Sequence, residues 1–119
     1  MARILVAEDD QAVSSFLTRA LQHGGHQVMA VPDGSAALGA LAGERFDLLL
    51  TDIVMPNLDG IALALKASKD HPAMKILLMT GFASERQRAH NLDALIHRVI
   101  AKPFTLEQIC AAVEEELAR

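Results

Sequence analysis

The sequence predicts an α/β domain in which a parallel sheet carries helices on both faces. Three observations lead there. Five short apolar segments recur along the chain, and stretches with helical periodicity separate them. The central segments are also apolar at every position rather than at alternate ones, as strands covered on both faces must be.

The elements follow in order. Ile4 to Ala7 is the first strand. Val13, Phe16, Leu17, Ala20 and Leu21 then fall at the i, i+3, i+4, i+7, i+8 spacing of one helix face, and Gly24-Gly25 ends that helix. Val28 to Val31 is the second strand, and the turn at Pro32-Asp33-Gly34 leads into a shorter helix marked by Ala37, Leu38 and Leu41. Leu48 to Thr51 makes the third strand. Ile61, Ala64, Leu65 and Ser68 mark a third helix that stops before Pro72. Ile76 to Thr80 is the fourth strand, and Ser84 to about Leu92 a fourth helix whose ERQRAHN stretch offers almost no apolar face. Arg98 to Ala101 is the fifth strand. Leu106, Ile109, Cys110, Val113 and Leu117 form the last helix, with Thr105 and Gln108 spaced for a capping box.

A length of 119 residues fits one domain, residues 1–119, with no appended output module expected. Composition excludes several classes of function. The chain is 51% hydrophobic, yet its apolar runs are too short to cross a bilayer, so no membrane insertion is expected. The opening MARILVAEDD puts acids directly after one short apolar run, unlike a signal peptide. A single cysteine, Cys110, sits in the apolar stripe of the last helix and reads as packing, which points to a reducing, cytoplasmic compartment. With a net charge of -4, no basic run and no Trp or Tyr, direct nucleic-acid binding is not expected.

The run LLLTDIVMP, residues 48–56, raises the functional question. Its strand ends on a carboxylate, Asp52, and burying an ionised Asp without compensation costs several kcal/mol, roughly. In a parallel α/β fold the site forms beyond the carboxyl ends of the strands. That edge also collects Glu8-Asp9-Asp10 after the first strand, Thr80-Gly81 at the fourth and Lys102-Pro103 after the fifth. Three clustered carboxylates need a cation, and Mg2+ suits an open, oxygen-lined site that keeps waters for a phosphate. Beside such a metal and Lys102, Asp52 can stay ionised and act as a nucleophile toward a phosphoryl group, with the Thr80 hydroxyl facing a phosphoryl oxygen. Each residue taken alone has a plainer reading. Asp52 would cap the next turn, Glu8 to Asp10 would begin a solvated helix, Thr80 would be an ordinary strand residue and Lys102 a surface lysine.

The motifs RILVAEDD, LLLTDIVMPNLDG, ILLMTG and AKPF, with 43 residues from Asp9 to Asp52 and 22 from Thr80 to Lys102, resemble the receiver domains of two-component response regulators over the whole chain. The resemblance implies a flavodoxin-like (βα)5 three-layer sandwich with a five-stranded parallel sheet of order 2-1-3-4-5. It implies Asp52 as phosphoacceptor, Mg2+ held by Asp9, Asp52 and the backbone carbonyl of Val54, and Glu8 acting through water. Thr80 matches the switch hydroxyl and Lys102 the phosphate-contacting lysine, with a cis bond before Pro103. Asp10 falls outside the metal pair and starts the first helix.

Val99 stands where the family often has an aromatic switch. Phe82 is the nearest aromatic, and it either takes over that role or lids the pocket. The implied phosphodonor is a sensor histidine kinase or a histidine phosphotransfer protein. The combination AEDD, LLLTDIVMP with DGI, and MTGFA further resembles stand-alone alphaproteobacterial receivers that serve as adaptors for the ClpXP protease, which would make ClpX the partner. A regulated surface is expected on the fourth helix, fifth strand and last helix, with Phe82, Arg86, Arg88 and Arg98 on it.

Three competing readings stand beside this one. A dehalogenase-type phosphatase would need a second Asp where Val54 stands. A nucleotide or flavin module would need a glycine-rich or hydroxyl-rich loop in place of EDDQAVSS. A degenerate receiver would act as a binding module alone.

Overall fold

The computed structural model describes residues 1–81 and 98–119. Five strands, β1 (Arg3–Ala7), β2 (Gln27–Val31), β3 (Leu48–Asp52), β4 (Lys75–Thr80) and β5 (Arg98–Ala101), form one sheet. All pairings are parallel and the order is β2-β1-β3-β4-β5, as expected. The register sets Ala7 beside Thr51 and Thr80 beside Ala101, so the carboxyl ends of four strands lie at one edge.

Side-chain alternation along the strands splits the core in two. Leu5, Ala7, Leu49, Ile76 and Leu78 point to one face, where α2 (Gly34–Gly43) and α3 (Gly60–Asp70) cover them with Ala37, Leu41, Ile61, Ala64 and Ala67. Ile4, Val6, Leu48, Leu50, Leu77 and Met79 point to the other. There α1 (Gln11–His23) and the C-terminal helix (Leu106–Leu117) supply Leu17, Ala20, Leu21, Ile109, Ala112 and Val113. Each large side chain so buried is worth roughly 1.5–3 kcal/mol, which is why continuously apolar strands settle only between two helical layers.

Every described helix begins on a side-chain cap, which satisfies amide donors that helical geometry leaves open. Asp10 accepts from the amides of Ala12 and Val13, Asp33 from Ala36 and Asp59 from Ala62. Thr105 and Gln108 make the expected capping box. Asp10 thus starts α1, as the sequence implied. Gly34, read as part of a turn, is instead the first residue of α2, with Asp33 taking over the turn's role as cap.

The expected fourth helix, with Phe82, Arg86 and Arg88, lies outside the described residues, and so does the side chain of Arg98. Among the described residues no helix is long and apolar enough to cross a membrane.

Candidate functional site at the carboxyl edge of the sheet

Glu8, Asp9, Asp52, Thr80 and Lys102 converge beyond the carboxyl ends of β1, β3, β4 and β5. Carboxylate oxygens of Glu8, Asp9 and Asp52 lie within 4.8 Å of one another. Glu8 is buried, Asp9 is exposed and Asp52 is 8% exposed, so the cluster opens to solvent on the Asp9 side. Thr80 is buried beside it at the end of β4, and the amide of Lys102 donates to the Thr80 carbonyl at 2.8 Å.

The side chain of Lys102 reaches back across this edge. Its Nζ donates to Glu8 Oε2 at 2.9 Å and to Asp52 Oδ2 at 3.0 Å. The other Glu8 oxygen, Oε1, accepts from the amide of Asp10 at 3.1 Å. Glu8, expected to act through water, therefore has both oxygens engaged by the protein itself.

Burial is the largest influence on Glu8 and, with the nearby Asp52 charge, pushes its pKa up against the opposing pull of Lys102 and the Asp10 amide. Burial works against the Lys102 ammonium, but hydrogen bonds to Glu8 and Asp52 and their charges outweigh it and hold its pKa above the ordinary value. The ammonium thus neutralises part of a charge that three carboxylates alone would not tolerate. The Lys102-Pro103 bond is cis, as the resemblance implied.

Local packing explains why Asp52 ends where it does. After it, Ile53 and Met55 are buried while Val54 between them is 46% exposed. The loop closes where the Gly60 amide donates to the Ile53 carbonyl at 2.8 Å. A Cβ at Gly60 would lie 2.8 Å from both the Asp52 carbonyl carbon and Ile53 Cα, and closer still to the Asp52 carbonyl oxygen. Gly60 therefore presses on the backbone of the acceptor residue itself. In the sequence this glycine stands inside LLLTDIVMPNLDG with nothing that marks its physical role. The one available signal was Asp59-Gly60 directly before an apolar helical run.

Val99 is half-buried and packs against the core shared with α2 and α3, so its side chain belongs to the sheet's interior. A pocket of about 570 Å³ lined by Ala12, Val13, Phe16, Gly81, Lys102, Pro103 and Phe104 adjoins the site between α1 and the segment after β5.

The donor set at this edge consists of carboxylate oxygens, open on one side, which fits a hard divalent cation such as Mg2+. The family model described as the response regulator receiver domain matches residues 4–114. The chain belongs to that family. Receiver domains are signalling modules of two-component systems, phosphorylated by histidine kinases or phosphotransfer proteins, and they bind Mg2+ at an acidic pocket of this kind.

Among curated relatives, the response regulator receiver protein CpdR of Brucella abortus is 41% identical over 117 residues, covering 98% of each chain. Other curated relatives are response regulators of which this receiver spans about half the length. A CheY-like receiver domain protein from Methanospirillum hungatei superposes with a TM-score of 0.92 at 30% identity, covering 99% of this chain and 94% of that one. The response regulator TrrA of Thermotoga maritima, solved with Mg2+ and BeF, gives 0.88 at 26% identity, with 97% and 98% covered. These likenesses confirm the flavodoxin-like sandwich and the receiver family.

Proposed function

We propose that this receiver accepts one phosphoryl group on Asp52 from a sensor histidine kinase or a histidine phosphotransfer protein. The observation that carries this reading is the Glu8, Asp9 and Asp52 cluster, with Lys102 Nζ bridging two of its members at the carboxyl edge. In the transfer, an Asp52 oxygen forms a bond to phosphorus as the bond from phosphorus to the donor's imidazole nitrogen breaks, and the nitrogen keeps the electron pair.

Asp9, Asp52 and the Val54 carbonyl would hold Mg2+, with Glu8 reached through water at the Oε2 that Lys102 gives up, and the ion would supply charge neutralisation at the phosphoryl oxygens. Lys102 moves its ammonium from the carboxylates to the incoming phosphoryl group. Thr80 donates its hydroxyl to the same group. That TrrA was solved with Mg2+ and BeF supports a metal-assisted phosphoryl site in this arrangement.

The 41% identity with CpdR supports a receiver that signals by phosphorylation-dependent protein binding. The sequence resemblance to protease-adaptor receivers favours ClpX as the partner. Mass spectrometry after treatment with a small acyl phosphate and Mg2+ should show one phosphoryl addition, lost in Asp52→Asn. An addition that persists in Asp52→Asn refutes the acceptor assignment. A pull-down with purified ClpX, using phosphorylated and unphosphorylated protein, tests the output. Equal capture of both forms, or of neither, refutes phosphorylation-dependent docking there.

A further inference from the structure

We propose that Asp33 and Asn57 form a positioning pair that fastens the loop after Asp52 to the first turn of α2, an inference that rests on the phosphoacceptor reading above. The loop, residues 53–59, carries the Val54 carbonyl. Its inner side is held by buried Ile53 and Met55 and by the Gly60 amide on the Ile53 carbonyl. Its outer side is held differently, by Asn57 Nδ2 donating to Asp33 Oδ2 at 3.1 Å.

The Asp33 carboxylate thereby does two things at once. Oδ1 accepts from the Ala36 amide at 2.8 Å and caps α2, while Oδ2 takes the Asn57 amide. Beside this bond the two backbones touch. A Cβ on Gly34 would lie 2.8 Å from Leu58 Cβ and closer still to the Leu58 carbonyl oxygen. Leu58 itself packs against the core between the sheet and α2 and α3.

The backbone of Asn57 sits at φ 71°, in the left-handed region. Glycine would hold that conformation with less strain, so an asparagine there retains the turn and adds an amide that reaches α2. Val54 lies between the inner and outer fastenings. The orientation of its peptide, and hence of the carbonyl offered to a cation, depends on both.

Two substitutions remove the contact while sparing the local fold. Asn57→Gly keeps the left-handed backbone, and Asp33→Ser keeps a helix cap. Each should weaken Mg2+ binding about threefold to tenfold, at or below the low end of what groups supporting metal ligands are worth. The double variant should lose no more than either single one, since both remove the same bond. The exchanged pair, Asp33→Asn with Asn57→Asp, reverses the direction of the hydrogen bond at unchanged net charge and should recover wild-type affinity.

Calorimetric titration with Mg2+ alone reads the affinity, and amide hydrogen exchange of residues 53–59 in metal-free buffer reads the loop directly. Accelerated exchange with weakened Mg2+ binding and recovery in the exchanged pair supports the proposal. Affinity unchanged in both single variants, or losses that add in the double, overturns it. A wild-type protein that binds no Mg2+ refutes the phosphoacceptor reading instead, and the exchange measurement then decides whether the pair fastens the loop.

Discussion

Gly60→Ala and Gly39→Ala are the same chemical change with opposite expected outcomes. At Gly39, on the exposed side of α2, a Cβ meets nothing within 4 Å. Alanine there gains helix propensity, worth up to about 1 kcal/mol. At Gly60 the added carbon would stand 2.8 Å from the Asp52 carbonyl carbon and from Ile53 Cα, and these are backbone atoms that no rotamer change can move. Either α3 retreats from β3 or the end of β3 shifts.

Overpacking of this kind costs about 1–3 kcal/mol, and rigid backbone on the receiving side puts Gly60→Ala at about 3 or more. For a domain of this size that lowers Tm by roughly 10–15 °C. Thermal and urea unfolding followed by circular dichroism on wild type and both variants measures it. Because the displaced atom is the carbonyl of Asp52, phosphoryl acceptance should fall as well. A Gly60→Ala protein with wild-type midpoints would refute the claim that α3 is seated on the acceptor's backbone.

Three further outcomes follow from the same geometry. Lys102→Met leaves Glu8 and Asp52 facing each other without the ammonium, so metal-free protein should lose about 2 kcal/mol, below the figure for a fully buried pair because the lysine is partly exposed. Mg2+ should restore part of that loss, and urea midpoints unchanged by the substitution would contradict it. Burial, and then the charges of Glu114 and Glu107, push the Cys110 thiol up, so less thiolate is present at a given pH. Iodoacetamide should therefore modify it more slowly than free cysteine at pH 8, with the rate still climbing above pH 9, and faster modification than free cysteine would refute this. His26 accepts the Ala2 amide at Nδ1, 3.1 Å, and meets Glu114 through Nε2, 2.6 Å, with its side chain 6% exposed. His26→Ala should cost about 1–2 kcal/mol in urea unfolding while Glu114→Gln, at an exposed partner, costs less. The reverse order would locate the stabilisation in the Glu114 hydrogen bond rather than in the tie to the Ala2 amide.

The sheet was legible because its strands repeat one simple signal. Leu48 to Leu50 and Ile76 to Met79 are apolar at consecutive positions, and only a doubly covered strand buries such a run. The acceptor cluster was legible for the opposite reason. Asp52 and Lys102 interrupt or terminate apolar runs, and a charge in that place demands a partner. Contacts between distant segments left no such trace. Arg3 meets Glu44 and stacks over Phe46, and His26 reaches Glu114, yet each reads in sequence as an ordinary polar residue at a strand or helix end.

The supporting residues stayed hidden because they satisfy local rules. Asp33 before a helix is a good cap, Asn57 is a good turn residue, and Gly60 after Asp59 is a good helix start, so none of them presents an anomaly. Each nevertheless carries a second contact on top of the first: Asp33 through its other oxygen, Asn57 through its amide, Gly60 through the absence of a Cβ beside Asp52. A residue that breaks a local rule announces its function in sequence. One that obeys the rule and does a second thing as well is visible only when the fold brings α2, the end of β3 and the start of α3 together. The acceptor's chemistry is thus written in exceptions, while its geometry rests on residues whose local chemistry is unexceptional.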